Sequence, residues 1–146
     1  MARGLMTVNN WEISGWGGSL YGDAAGAVAA AGAFGAWAVR GETVVRQLEG
    51  ATKLRGTIGV DRLFQIKRRD TLVLVEYQHD QMAAAEPDEY LDLVRSAPFA
   101  RGEFQVIGRD ETVLQASVQV HPLWSIAGLW LWNLNDRSAL LSPTVA

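Results

Sequence analysis

The side chains best suited to acid–base chemistry in this sequence are two histidines and one glutamate. Histidine titrates near neutral pH, so a proton transfer at pH 7 would most simply use His79 or His121, the two histidines of the chain. Glu76 lies within the mainly apolar residues 72–79 (LVLVEYQH), where burial would change its affinity for a proton. These three residues are the candidates for proton chemistry if the protein is an enzyme.

The direction in which Glu76 points decides whether it can do such chemistry. An unpaired carboxylate is costly to bury, and the β-branched side chains of Val73 and Val75 suit a core. We therefore expect Val73, Val75 and Tyr77 to point into the core and Glu76 to point into solvent. That arrangement would leave Glu76 without the burial that acid–base catalysis near pH 7 requires.

Other catalytic and metal-binding signatures are missing from the sequence. The chain has no cysteine, which excludes disulfides, thiolate metal sites and a cysteine nucleophile. No serine lies in a G-x-S-x-G elbow, and no glycine-rich turn has the strand and helix that a dinucleotide site needs. Two histidines without a carboxylate at ligand spacing make a poor metal site. We assign no catalytic residue, no metal and no cofactor, and the balance is against an enzyme.

Tryptophans are the candidates for a ligand-binding or interface surface. The candidate residues are Trp16, Trp37, Trp124, Trp130 and Trp132. Three of them fall in residues 123–134 (LWSIAGLWLWNL), where both alternating sets of side chains are apolar. A strand that is apolar on both faces is buried on both, so we expect Trp130 and Trp132 to be buried. One face would pack in the domain's own core, and the other against a ligand, a subunit, a membrane surface or another part of the chain.

Strands are the main elements that must position these residues. Residues 113–121 (VLQASVQVH) alternate apolar and polar side chains, which is typical of a half-buried antiparallel strand. Residues 24–39 (AAGAVAAAGAFGAWAV) are interrupted by glycines, which favours strands over a helix. In those strands the packing residues would be Val28, Phe34, Trp37 and Val39. One short helix is predicted near residues 87–96, where Pro87 precedes two acids at the positive end of the helix dipole.

A short internal sequence repeat suggests two related hairpins. Residues 64–72 (FQIKRRDTL) return, with one insertion, as residues 104–113 (FQVIGRDETV). If the two units are equivalent, Phe64 and Phe104 should both point into one core, and Asp70 and Asp110 should both lie in turns. The alternative is a chance similarity between two hairpins, because repeats this short are weak evidence of duplication.

Length and composition place the chain among ordinary folded domains. With 146 residues, 49% of them hydrophobic and 20% charged, residues 1–146 are predicted to form a single β-rich domain. The predicted fold is a small antiparallel β-barrel or sandwich of about seven or eight strands, with the helix near 87–96. A net charge of −3 argues against a nucleic-acid partner. The start of the sequence lacks the apolar core of a signal peptide, so we expect a cytoplasmic protein.

Residues 21–48 (YGDAAGAVAAAGAFGAWAVRGETVVRQL) join a glycine-rich apolar strand, an Ala-Trp pair and a polar turn. This segment resembles the glycine-rich core of the virulence-associated (Vap-type) proteins of actinobacteria, and it covers about a fifth of the chain. The resemblance implies a compact antiparallel β-barrel with internal pseudo-symmetry. It assigns no functional residue, because the family offers no catalytic motif to match. The family is exported, whereas this sequence shows no signal peptide.

Three classes of function follow from these patterns, in order of preference. The first is a non-catalytic interaction protein that buries its Ala/Gly-rich and Trp-rich strands in a homo-oligomer or against a protein partner. The second is a small barrel that binds an apolar small molecule, as a binding protein, cyclase or isomerase. The third is a membrane-active protein that uses the Trp-rich tail at the lipid interface, and it is the least favoured.

Overall fold

The computed structural model of the chain describes residues 1–48, 50–104 and 106–146. Nine strands, two short helices and one 3₁₀ turn are formed by these residues. The strands are β1 (Ala2–Val8), β2 (Trp11–Leu20), β3 (Asp23–Phe34), β4 (Trp37–Leu48), β5 (Ala51–Ile66), β6 (Arg69–Asp80), β7 (Asp110–His121), β8 (Trp124–Asn133) and β9 (Ala139–Val145). The 3₁₀ turn Pro87–Glu89 leads into α1 (Tyr90–Arg95), and α2 (Ala97–Ala100) follows.

All nine strands belong to one sheet, in which each strand pairs antiparallel with the next strand along the chain. The expected mainly β, antiparallel fold with a short helix near 87–96 is confirmed, with nine strands where seven or eight were predicted. Among the described residues β1 and β9 do not pair with each other. No described helix is long and apolar enough to cross a membrane.

The two ends of the strands differ in how they are connected. At one end, which we call the turn end, four hairpins close through two residues each, at 9–10, 35–36, 67–68 and 122–123. At the other, the loop end, the connections include residues 134–138 and the long segment 81–109, which carries both helices. We call residues 81–109 the long connection. Gly22 and Gly35 adopt a positive φ within tight turns, a conformation that glycine accepts without strain.

The register fixes which side chains share a face, because residues directly opposite in an antiparallel pair point the same way. Arg40, Gly59 and Glu76 form one cross-strand row on one face. Gly41, Ile58 and Tyr77 form the neighbouring row on the other. The same alternation of side-chain direction in every strand gives the sheet a polar face and an apolar face. The polar face holds most of the charged residues within strands.

The sheet does not enclose a conventional core. The only fully buried hydrophobic residues among those described are Ala27, Ala83 and Ala84. Val28, at 62% exposure, and Phe34, at 78%, lie open on the apolar face, and Trp37 is exposed as well, so the prediction that these residues pack in a core is wrong. They alternate as a strand requires, but no second layer of described residues covers them.

The sequence repeat in residues 64–72 and 104–113 does not correspond to two equivalent hairpins. Phe64 lies in β5 and Asp70 lies inside β6, whereas Phe104 lies in the long connection and Asp110 begins β7. Phe104 stacks on Phe99 with ring centroids 6.4 Å apart, while Phe64 packs edge-on against Trp37. The prediction of equivalence is therefore wrong.

Candidate functional site

The polar face carries a ladder of ion pairs that crosses the strands. Arg40 donates to Asp61, with 2.6 Å between Nη1 and Oδ1, and to Glu76, with 3.3 Å between Nη2 and Oε2. Gly59 lies between Arg40 and Glu76 in the register, and a Cβ placed on it would come within 3.2 Å of the guanidinium. The missing side chain thus lets Arg40 on β4 reach across β5 to a carboxylate on β6.

A second, more buried group of charges lies on the polar face at the loop end. Arg46 is only 3% exposed and donates to Asp23 through Nη2 at 2.8 Å and to Glu103 through Nη1. Arg55 donates through Nε to Asp80, at 2.7 Å, and Asp80 is 1% exposed. Arg46 and Asp80, the two buried charges of this group, each therefore have an opposite charge within hydrogen-bonding distance, as burial in a low dielectric requires.

Glu103 ties the long connection to the polar face of the sheet. Its carboxylate accepts from Arg46 on β4, and its carbonyl accepts from Arg55 on β5 at 2.9 Å. Both arginines lie on the polar face, so the segment that leaves β6 folds back over that face. Arg101 completes the group by donating to Glu103, and its guanidinium lies 4.8 Å from the ring centroid of Tyr21.

A second attachment holds the start of α1 to the β8–β9 connection. The Tyr90 hydroxyl donates to Asp136 at 2.9 Å and accepts from Asn133 Nδ2 at 2.8 Å. Ser138 donates to Asp136 through its backbone N–H and its hydroxyl, and these bonds, more than the one from Tyr90, hold the pKa of the Asp136 carboxyl below its ordinary value. Burial raises the pKa of Tyr90, and the carboxylate of Asp136 raises it further.

The apolar face has the opposite character. Its strands expose large hydrophobic side chains: Met6, Val8, Val28, Phe34, Trp37, Val45, Ile58, Ile66, Val75, Tyr77, Leu114, Trp124, Ile126, Trp130, Trp132, Leu141 and Val145. On the polar face, the exposed large hydrophobic residues in strands are Leu5, Leu63 and Leu140. The ionisable side chains within strands on the apolar face stand near strand ends: Arg62, Arg69, His79 and Asp110.

Aromatic residues bracket this apolar surface at both ends of the strands. The turn-end group is Trp11, Phe34, Trp37, Phe64 and Trp124, and the loop-end group is Tyr77, Trp130 and Trp132. Trp130 and Trp132 stack with centroids 6.0 Å apart. Trp124 and Trp132 are eight positions apart on β8, which at ~3.3 Å per residue separates the two groups by about 26 Å.

Four of the five candidate tryptophans share the apolar face, and one does not. Trp16 lies on the polar face, opposite Ala27 and Arg3 in the register. Trp130 and Trp132 are 44% and 42% exposed, so the chain's own core does not bury them, and their burial against a partner or a membrane stays a prediction. A sequence alone shows that a strand is apolar but not whether protein covers it.

The three candidates for proton chemistry lie apart from one another. Glu76 lies on the polar face and pairs with Arg40, whereas Val75 and Tyr77 are exposed on the apolar face, so the expected inward orientation of these two residues is wrong. His121 is at the turn end, where its Nδ1 accepts from the backbone N–H of Leu123.

His79 has a carboxylate partner that sequence reasoning missed. Its Nδ1 lies 2.7 Å from Oδ1 of Asp110, which also accepts from the Tyr77 hydroxyl at 2.5 Å. Asp110 stands directly opposite His79 in the β6–β7 register, across a connection of 29 residues (81–109), and no local pattern predicts that pairing. The described residues contain no group of three or more side chains that could hold a metal ion.

The charged ladder was also missed, although part of its signal is in the sequence. Arg40, Glu42 and Arg46 recur at even spacings in β4, which places them on one face of the strand. Their partners come from four other parts of the chain and follow only from the register. Comparisons with protein-family models, with curated proteins and with solved structures found no match to this chain.

Proposed function

We propose that the chain forms part of the wall of a membrane-spanning antiparallel sheet. In this proposal the apolar face contacts lipid acyl chains and the polar face borders a water-filled passage. The observation that carries it is the segregation of the faces: exposed hydrophobic side chains concentrate on one face, and the ion-pair ladder lies on the other. An antiparallel sheet in a bilayer has this alternation, with the apolar side chains outward.

The dimensions and the ends of the strands support the same function. β8, which carries aromatic residues near both of its ends, has ten residues, within the range of about 9–11 that a tilted strand needs to cross a bilayer. Aromatic rings favour the two membrane–water interfaces, because one part of the ring is apolar and another can meet water. All four connections at the turn end have two residues, whereas the loop end combines short turns such as 21–22 with the longer connections 81–109 and 134–138. Short turns at one end and some long loops at the other are typical of such sheets.

The two other classes of function have less support. An apolar-ligand protein needs an enclosed apolar cavity, whereas the depressions on the described surface are open, and two of them are lined in part by Glu12, Arg40 and Glu42. A homo-oligomer could also cover the apolar face, but it does not require aromatic groups at both strand ends. This proposal places the chain in a membrane instead of the cytoplasm, and it develops the membrane-active class from the Trp-rich tail to the whole sheet.

The test is the depth of single tryptophans in a bilayer. Trp130 on the apolar face and Trp16 on the polar face form a matched pair, each retained alone while the other five tryptophans are replaced by phenylalanine. In vesicles whose lipids carry bromine on the acyl chains, Trp130 fluorescence should be quenched strongly and Trp16 fluorescence only weakly. Equal quenching of the two tryptophans would contradict the proposal. So would a protein that forms oligomers in water and does not bind to the vesicles.

A further inference from the structure

Four cations at the turn end differ from Arg40, Arg46 and Arg55 of the polar face. Arg62 and Arg69 lie on the apolar face of β5 and β6, and Lys67 and Arg68 form the turn between these strands. We call these four residues the basic turn cluster. Arg40, Arg46 and Arg55 are each paired with carboxylates, as described above. Within residues 1–48, 50–104 and 106–146, no carboxylate forms an ion pair with any member of the basic turn cluster.

Arg62 is held between aromatic rings with its hydrogen-bonding capacity unused. Its guanidinium carbon lies 4.9 Å from the ring centroid of Phe64 and 5.2 Å from that of Trp37, and the two rings meet edge to face. Arg62 Nε and Thr71 Oγ1 have no hydrogen-bond partner in the described structure. Thr71 stands opposite Phe64 on the same face. A cation with an unsatisfied N–H and an unsatisfied hydroxyl thus lie around one ring.

The turn itself is an unusual place for two long basic side chains. Lys67 and Arg68 have φ angles of 51° and 63°, in the left-handed region that glycine and asparagine occupy readily. For other residues this conformation costs about 1–2 kcal/mol each. The two-residue turn would form more easily with Asn-Gly, so the cations are present despite a local penalty. Residues kept under strain point to a functional constraint.

We propose that the basic turn cluster binds the phosphate of an anionic phospholipid. This inference rests on the proposed function, because it requires the turn end to lie at a membrane–water interface. There the guanidinium groups of Arg62 and Arg69 hold the phosphate, and the Thr71 hydroxyl adds a hydrogen bond. The acyl chains of the same lipid lie along the apolar face beside Val60 and Val73. A cation on an aromatic ring next to lipid suits a phosphate because the ring is apolar and leaves the guanidinium edge free.

The experiment measures lipid binding by the full chain in detergent micelles. Short-chain phosphatidylglycerol, short-chain phosphatidylcholine and inorganic phosphate are each titrated, and the apparent Kd is followed by tryptophan fluorescence. Arg62→Gln should weaken phosphatidylglycerol binding about fivefold, the effect of one interfacial cation, and leave phosphatidylcholine binding unchanged. Lys53→Gln is the control, because it removes the same charge from the polar face at the loop end.

Three outcomes would overturn the inference. The first is an equal loss in Lys53→Gln, which would show a response to net charge. The second is inorganic phosphate binding as tightly as phosphatidylglycerol, which would show a site for the free ion. The third is Arg62→Gln binding phosphatidylglycerol like the parent chain. If quenching by brominated lipids also fails, the proposed function fails with it; if quenching succeeds, only this inference is lost.

Discussion

At the scale of single residues, Gly59 is where the absence of a side chain matters most for the charged ladder. A Cβ on Gly59 would lie 3.1 Å from Oε2 of Glu76 and 3.2 Å from Nε of Arg40, so the guanidinium would have to move. On the other face of the same strand, a Cβ on Gly56 would meet no atom closer than 3.8 Å.

We therefore expect Gly59→Ala to be less stable than Gly56→Ala by about 0.5–1 kcal/mol, the range for a partly exposed ion pair. Both substitutions remove the flexibility of glycine from the unfolded chain, so their difference isolates the contact with Arg40. The free energy of unfolding is measured with urea in detergent. Equal stability of the two variants would show that Arg40 reaches Glu76 without needing Gly59.

Arg46 should be the arginine whose loss is most damaging. Replacing it with alanine leaves Asp23 without a counter-charge and leaves the nearly buried Glu103 with Arg101 alone, and breaking a buried pair costs about 3–5 kcal/mol. Arg40→Ala, at a site that is more than a third exposed, should lower the free energy of unfolding by less than about 1 kcal/mol. Urea unfolding of both variants tests the contrast, and similar losses would refute the assignment of Arg46 as the buried centre.

Leu114 and Gln115 offer a direct comparison of the two faces, because they are neighbours in β7 that point to opposite sides. In a bilayer, Leu114→Arg should destabilise the protein by about 2–4 kcal/mol, as for a cation placed among acyl chains. Gln115→Arg should have little effect, because its side chain meets water. The yield of folded protein after refolding into vesicles measures this difference, and equal tolerance at both sites would argue against a lipid-facing surface.

These residue-level partners are what the sequence could not supply. The sequence drew attention to Glu76, His79 and the tryptophans by their types, and their strand faces followed from alternation. The partners Arg40 and Asp110 depend on register, which is set by pairing between segments far apart in the chain. The sequence predicted that Trp130 is covered but could not specify by what, and the chain's own core does not cover it.

At the scale of elements, the attachment of α1 should respond to acid. The pKa of Asp136 is lowered in the folded chain, so its ionised form contributes stability that is present above the ordinary carboxyl pKa of about 4 and is lost as pH falls through the lowered value. Amides of α1 should therefore lose protection from hydrogen exchange in strong acid. Asp136→Asn should abolish that dependence, and Tyr90→Phe should lower protection at every pH, because it removes the hydroxyl from the attachment.

The control for this prediction lies in the strands. After correction for the intrinsic exchange rate, amides in the centre of β5 should show no parallel loss of protection over the same pH range. A uniform loss in α1 and β5 would indicate global acid unfolding rather than release of this attachment.

Strands and helix were predictable because local patterns specify them. The alternation in residues 113–121 and the glycine interruptions in residues 24–39 correctly indicated strands, and Pro87 correctly indicated the short helix. The second half of the repeat failed because Phe104, whose sequence context resembles a strand, is held in the long connection by contacts with the Arg55 guanidinium and the Phe99 ring. Tertiary contacts outweighed the local pattern there.

At the scale of the whole molecule, composition alone could not separate a hydrophobic core from a hydrophobic surface. With 49% hydrophobic residues, the sequence satisfies the expectation for a globular domain, yet most large apolar side chains lie on an uncovered face. That distinction appears only once the register assigns each residue to a face. The expected single domain and the resemblance to the Vap-type proteins stay predictions.

The number of strands has a consequence for symmetry. In an antiparallel meander the direction reverses at every strand, so the first and ninth strands, β1 and β9, point the same way. The free edges of β1 and β9 can therefore pair with each other only in parallel. In two copies with the same orientation across a membrane, β9 of one copy can likewise pair with β1 of the other only in parallel. A fully antiparallel ring contains an even number of strands. Closing this nine-stranded sheet into such a ring therefore requires an odd number of further strands between β9 and β1. If the proposed wall is fully antiparallel, one, three or another odd number of further strands completes it.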